Sequence, residues 1–209
     1  MSERVIVSDA CVAEGAAWLA ARDPHFALAV SEIEIIPLRL APEGFGGLLK
    51  IIMGQQVSVA SARAIWTRLV EAGLTSQEAV EAAGEADLLA AGLSRQKTRY
   101  AKALAAADLD YAALQSMPTP EVIARLTAIK GIGPWTGQIY AKFHLGRADV
   151  FAAGDLALQE GARMLFDLPE RPDAKAIAAM AENWSPWRSV AARILWAYYA
   201  MRKSRDGIA

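Results

Sequence analysis

Leu126-Thr127-Ala128-Ile129-Lys130-Gly131-Ile132-Gly133-Pro134-Trp135-Thr136-Gly137 is the stretch from which the fold is read. The pattern predicts a helix ending at Gly131, a tight turn through Gly131, Ile132 and Gly133, and a second helix restarting at Pro134. Two glycines one residue apart permit positive φ and leave no Cβ to obstruct an approaching phosphate. The following helix offers N–H groups and the positive end of its dipole at the same place, with Lys130 as a mobile charge beside it. Such a turn suits a nucleic-acid backbone phosphate, a contact that positions a protein without reading base sequence. An ordinary hairpin of two helices with a glycine stop fits the same residues, and both readings stand at this point.

Outward from the hairpin, the chain reads as helices. Apolar residues recur at three- and four-residue steps, and alanine is abundant. Helices are predicted over 9–21, 24–30, 44–54, 58–72, 76–82, 85–91, 94–106, 119–128, 134–144, 156–165, 174–182 and 187–202. Ser58, Thr75, Ser94, Thr119 and Asp155 stand as N-caps, with Pro120 and Pro134 in first turns. Gly73, Gly92 and Gly146 follow helical runs as stops. Only Val5–Val7 and Ile33–Leu40 read as extended, and Pro37 weakens the second. No repeat of fixed period and no Gly/Ser- or Pro-rich linker divides the chain. The expected fold class is all-α.

Composition narrows the function. The 209 residues are 54% hydrophobic and 22% charged with a net charge of −1, which excludes disorder. No apolar run approaches the ~18 residues that span a bilayer, and the first residues offer too short an apolar run for a signal peptide. The single cysteine, Cys11, excludes an intramolecular disulfide and a Cys-ligated iron–sulfur cluster within this sequence. His25 and His144 lie too far apart in sequence to suggest a zinc site. A soluble protein of a reducing compartment is expected. Charges are segregated: Arg95, Lys97, Arg99 and Lys102 fall in one acid-free stretch. Arg125, Lys130, Lys142 and Arg147 fall in another, and Arg188, Arg193, Arg202, Lys203 and Arg205 in a third. This permits a local basic face on a near-neutral protein, although solvated helix faces give the same pattern.

The hairpin stretch resembles the helix-hairpin-helix of the DNA glycosylase superfamily, in which a catalytic aspartate follows downstream. Asp149-Val150-Phe151-Ala152-Ala153-Gly154-Asp155-Leu156 is similar to that family's catalytic loop, with Asp155 at the carboxylate position. Upstream, the run from Leu48 to Ser58, containing Gly54-Gln55-Gln56-Val57-Ser58, resembles the family's wedge turn. Downstream, Trp184-Ser185-Pro186-Trp187-Arg188-Ser189 and the helix to Trp196 resemble its last helix. The likeness covers roughly residues 25 to 200, in four motifs in the right order. It implies two helical lobes, one over 36–147 with the wedge turn and hairpin, the other combining 1–35 with 148–209. Their cleft would hold the active site.

Chemistry selects the branch. Bifunctional relatives carry a nucleophilic lysine where this chain has Trp135, and an indole cannot form a Schiff base. Relatives with a four-cysteine cluster are excluded by the single cysteine. What remains resembles the alkylpurine (3-methyladenine type II) branch, and that resemblance implies hydrolytic excision of 3-methyladenine- or 7-methylguanine-type bases from damaged duplex DNA, without lyase activity. Other readings stay open: a monofunctional glycosylase for deaminated or oxidised bases, or a non-catalytic hairpin module that only binds DNA. The resemblance assigns Asp155 as the catalytic carboxylate and Trp135, Trp196, Ile139 and Leu156 to the base pocket. It assigns DNA contacts to Gln55, Gln56, Ser58, Lys130, Gly131, Ile132, Gly133 and Thr136, with Gln56 as wedge, and the basic stretch adds Arg95 and Lys97. For the glutamines, a capped inter-helix turn with solvated amides is the other reading. For Asp155 it is a plain N-cap, and for the tryptophans core packing. Tyr140, Trp184 and Trp187 are expected in the core, and Asp149 is expected to fix the loop. Backbone carbonyls of Thr127, Ile129 and Ile132 would hold Na+ or K+ in such hairpins; no cofactor is otherwise required. A monomer without an obligate protein partner is expected, in the cytoplasm and on the nucleoid if bacterial.

Overall fold

Periodic apolar segments become thirteen helices among the described residues, 3–205, of this computed structural model. They are α1 (Asp9–Ala20), α2 (Pro24–Glu32), α3 (Phe45–Gly54), α4 (Val59–Glu71), α5 (Gln77–Ala82), α6 (Glu85–Ala90) and α7 (Arg95–Ala105). Then follow α8 (Tyr111–Ser116), α9 (Thr119–Thr127), α10 (Pro134–Phe143), α11 (Leu156–Leu165), α12 (Ala174–Glu182) and α13 (Arg188–Arg205). The all-α reading holds. Among the described residues Val5 makes an isolated antiparallel bridge to Arg147, and 33–40 forms no strand. No helix there is long and apolar enough to cross a membrane.

Local signals account for most boundaries. Ser58, Ser94 and Asp155 cap α4, α7 and α11 by accepting backbone N–H bonds, and Gly73, Gly92 and Gly146 take positive φ after helical runs. Three expectations are corrected. Ser76, not Thr75, caps α5, accepting from the Ala79 amide at 3.2 Å. Thr119 is the first residue of α9 and not its cap; Pro118 stands before it with φ already near the helical value, so the helix starts one residue early. The helix expected to reach the hairpin glycine ends at Thr127. Beyond it the ladder tightens to three-residue bonds, Ile129 N–H to Leu126 O at 3.1 Å and Ile132 N–H to Ile129 O at 3.0 Å. The unforeseen α8 is six residues long and buries only Leu114, too little for a periodic signal; Asp110 caps it.

The chain divides into two compact units. One spans Ala41–Leu145; the other joins the residues up to Leu40 with those from Gly146 onward. These junctions differ from 35/36 and 147/148 because polar anchors hold both edges in the second unit. The Arg193 guanidinium donates to Leu38 O at 3.1 and 3.0 Å, and Ile6 N–H donates to Gly146 O at 2.7 Å. Arg193 is buried and also donates to Ser189 O at 2.9 Å; burial, with the nearby charge of Arg39, brings its pKa down to about 10, still protonated at neutral pH.

In Ala41–Leu145 the core is built on α3. Phe45, Leu48, Leu49, Ile52 and Met53 are all buried, against residues of α4, α7 and α10 such as Leu69, Leu104 and Tyr140. In the other unit α13 packs on α1, α2 and α11, and Trp184 gathers Phe26, Phe151 and Phe166 at ring distances of 5.4, 5.2 and 5.9 Å. Tyr140, Trp184 and Trp187 are core residues, as expected. The contact of α11 with α13 depends on Gly161, where an added Cβ would lie 2.6 Å from the Leu195 carbonyl oxygen.

That close approach gives a test. Gly161→Ala should lower stability to urea by about 1–3 kcal/mol, because the obstructing atom is helix backbone and cannot swing aside. Gly154→Ala, with nothing within 4 Å of its new Cβ, should stay within about 0.5 kcal/mol of wild type.

Candidate functional site

The two units each carry part of the expected site. In Ala41–Leu145 the hairpin glycines have different jobs. Gly131 has φ +97°, and its Cα lies where any Cβ would overlap the Tyr100 ring, so only glycine fits. Gly133 has extended backbone, opens α10 with no side chain capping it, and has nothing within 4 Å of where a Cβ would stand. The open glycine at the helix N-terminus is the shape that lets a phosphate approach, and Lys130 beside it is exposed. Ile132, by contrast, is buried in the core, so it can offer only backbone to a ligand. The Ile129 carbonyl accepts the Ile132 N–H, which leaves one lone pair for a cation. The descending residues Trp135 and Ile139 lie one turn apart on α10, Trp135 36% exposed and Ile139 half-buried.

The wedge turn separates two adjacent glutamines that the sequence treats alike. Gln55 is half-buried, and its Nε2 donates to Thr136 Oγ1 at 2.9 Å and to Gly131 O at 3.1 Å. Gln56 is exposed and holds left-handed backbone, φ +56°. Thr136, expected as a nucleic-acid contact, is buried with its hydroxyl committed to Gln55. Ser58 is exposed but occupied as the α4 cap, accepting from Ser61 N at 3.1 Å. Of the two basic residues expected on α7, Arg95 is exposed. Lys97 reaches back to the Met53 carbonyl at 2.6 Å, and burial holds its ammonium below the ordinary lysine value. It closes the end of α3 rather than standing free for a phosphate.

The other unit carries Asp155. Its Oδ1 accepts three N–H bonds: from Ala157 at 2.9 Å, Leu158 at 3.1 Å and the Trp196 indole at 3.2 Å. The cap and the indole together fix the carboxylate, and Trp196 is fixed in turn beside it. Leu156, next in sequence, is 63% exposed. The capping reading of Asp155 is thus realised, and it coexists with an acid held in one orientation at an exposed helix end.

Residues not singled out by the sequence reading hold the loop before Asp155. Buried Ser189 accepts from Val150 N at 3.2 Å and donates to Arg147 O at 2.6 Å, with Val150 O at 3.0 Å as a second acceptor. Gln159 donates to Ala153 O at 2.8 Å. Asp149 fixes the loop as expected: Arg188 donates to both its oxygens, at 2.7 and 2.8 Å, and Ser185 donates at 2.9 Å. Burial alone would raise the Asp149 carboxyl, but the hydrogen bonds from Arg188 and Ser185 and the charge of Arg188 outweigh it and hold it below the ordinary 3.8. The signal was present in Ser185, Arg188 and Ser189 of the quoted motif, which sequence alone does not connect to a loop some 40 residues earlier.

Comparisons with known proteins agree with this geometry. Residues 49–187 match the family model of the HhH-GPD superfamily of base excision DNA repair proteins. The chain is 30% identical over 173 residues to a Bacillus subtilis (strain 168) relative provisionally named DNA-3-methyladenine glycosylase, covering 77% of this chain and 60% of that one. It is 31% identical over 163 residues to DNA-3-methyladenine glycosylase 1 of Schizosaccharomyces pombe, covering 74% and 72%. The structure of the S. pombe 3-methyladenine DNA glycosylase in complex with abasic DNA matches with a TM-score of 0.78 at 28% identity, over 88% of this chain and 95% of that one. The chain therefore spans 60% of the length of the B. subtilis relative.

The loop anchor is testable by pH. A carboxylate whose pKa is depressed on folding contributes stability above its unfolded value, and that contribution is lost as pH falls through the folded value. Asp149→Asn should therefore destabilise at pH 7, and the gap from wild type should close as pH falls below about 4. Thermal unfolding of both proteins from pH 7 to pH 3 measures it; a gap independent of pH would remove the ionised pair from the account.

Proposed function

The chain belongs to the HhH-GPD superfamily of base excision DNA repair proteins, and on that premise we propose that it is a monofunctional DNA glycosylase. Its reaction is hydrolysis of the N-glycosidic bond of alkylated purines, of the 3-methyladenine and 7-methylguanine type, in duplex DNA. The observation that carries this reading is the Asp155 carboxylate, held by two helix N–H groups and an indole N–H. A module that only bound DNA would gain nothing from an oriented acid beside an aromatic ring.

The chemistry follows from the residues. A base inside a duplex is out of reach, so it must be extruded and its place in the stack filled, the role assigned to Gln56. Cleavage develops positive charge at C1′, which a fixed carboxylate stabilises without reorganising, and the same carboxylate can orient the attacking water. An alkylated purine is cationic before cleavage and leaves neutral. An indole suits such a base, a cation–π contact being worth about 0.5–2 kcal/mol. The unit Ala41–Leu145 carries Trp135 with the apolar Ile139, and the other unit carries Trp196 with the apolar Leu156. Lys130 and the N–H groups of Gly131 and Gly133 take a backbone phosphate, with Arg95 adding charge. The carbonyls of Thr127, Ile129 and Ile132 would hold a Na+ or K+ ion at the same turn; the hydrolysis itself needs no cofactor. The names of the relatives and the DNA-bound S. pombe structure support the substrate class. On this reading the protein acts as a monomer on damaged duplex DNA, in the cytoplasm, and on the nucleoid if it is bacterial.

Asp155→Asn should reduce release of methylated purines by about 100-fold or more while affinity for damaged duplex is retained, since asparagine keeps the capping oxygen and loses the charge. Single-turnover release with binding measured separately decides this; near-wild-type release would move catalysis elsewhere, and loss of binding alone would favour a DNA-binding module.

The product strand should stay intact, with an alkali-labile abasic site, and borohydride should trap no covalent adduct, because Trp135 has no amine to attack C1′. Denaturing electrophoresis checks both; a trapped complex would assign the protein to the lyases.

A further inference from the structure

We propose that Gln55 is a positioning residue that locks the wedge turn to the hairpin, so that the phosphate anchor and Gln56 move as one body. The inference rests on the DNA glycosylase reading and names a role for a residue that reading does not need as a DNA contact.

Both N–H bonds of the Gln55 amide are spent inside the protein, on Gly131 O and Thr136 Oγ1, 76 and 81 residues away in sequence. The Gly131 carbonyl can only accept, which dictates that the nitrogen and not the oxygen of the amide faces it. The two partners lie on either side of Gly133: one in the hairpin turn, the other in the first turn of α10. Thr136 is 2% exposed and Gly131 is pressed against Tyr100, so neither can follow a displaced glutamine. From the other side, Lys97 holds the Met53 carbonyl at 2.6 Å.

Residues 53 and 55 are thus tied, and Gln56 follows with left-handed backbone. A non-glycine residue persists in that region only where its surroundings impose it. The Gln56 side chain is exposed and has no hydrogen-bond partner among the described residues. One glutamine is the brace and the other is the probe. A duplex phosphate seated at Gly133 then sets where Gln56 enters the stack, because no soft joint lies between them.

The test uses the full chain and a duplex with a stabilised abasic analogue flanked by 2-aminopurine, whose fluorescence rises when it unstacks. Gln55→Glu keeps size and removes both donors, and Thr136→Val keeps shape and removes one acceptor. Each should bind the duplex within about threefold of wild type, while the fluorescence rise per bound complex falls by about half or more. Thr136→Ser should restore it. Gln55→Glu added to Gln56→Ala should cost no more than Gln56→Ala alone, since the brace acts only through the probe. Weaker binding with an unchanged rise per complex, or additive losses in the double variant, would overturn the proposal and leave Gln55 a packing residue. Release of methylated purine by wild type is scored separately: its failure would overturn the glycosylase reading, while the fluorescence would still decide the brace.

Discussion

One backbone conformation constrains the whole of Ala41–Leu145: the left-handed Gly131, with the Tyr100 ring where a side chain would begin. The chain must turn from α9 to α10 in the six residues 128–133. A turn that tight strands carbonyl and amide groups, and buried ones must find partners. Three-residue bonds satisfy some, and the Gln55 amide satisfies the Gly131 carbonyl. The partner comes from α3, whose five large apolar side chains make it the centre of the core. The hairpin is therefore tied to the best-packed helix of its unit and not left as a loop on the surface.

The unit built on α13 meets the same requirement differently. The loop 149–155 has no ladder to join, so side chains of α11 and α13 (Ser189, Arg188, Gln159 and Trp196), together with Ser185 just before α13, bond to it instead. A buried hydroxyl such as that of Ser189 would cost about 1–3 kcal/mol if left unmade, and here it serves three backbone groups at once. The result is a loop whose last residue presents its carboxylate in one orientation. Preorganisation of that kind is what a charge-stabilising acid needs, since nothing must be rearranged as charge develops.

The basic segments divide in the same way. Arg95 and Lys130 stay exposed, whereas Lys97 closes α3 and Lys102 donates to the carbonyls of Glu81 and Ala83. Arg193 holds the segment at Leu38, and Arg188 holds Asp149. A run of cations in sequence is thus partly a set of cappers of helix and loop carbonyls, and only the remainder is a field for phosphate.

The sequence by itself determined the helical class, twelve of the thirteen helices, the hairpin and the acid at position 155. These rest on signals carried within a few residues: apolar periodicity, Ser and Asp caps, glycine stops and first-turn prolines. It missed α8 and placed the end of α9 too late, because a six-residue helix has almost no period and a tightening turn leaves no residue-type mark. Only the tertiary structure decided which of two neighbouring glutamines is internal, that Lys97 and Thr136 are occupied, and that an indole nitrogen 41 residues away grips Asp155. Each of these is a single hydrogen bond whose partner is set by how helices pack. An amide, an ammonium or a hydroxyl has the same chemistry in water as in the core, and its neighbours, which local sequence does not encode, assign its role.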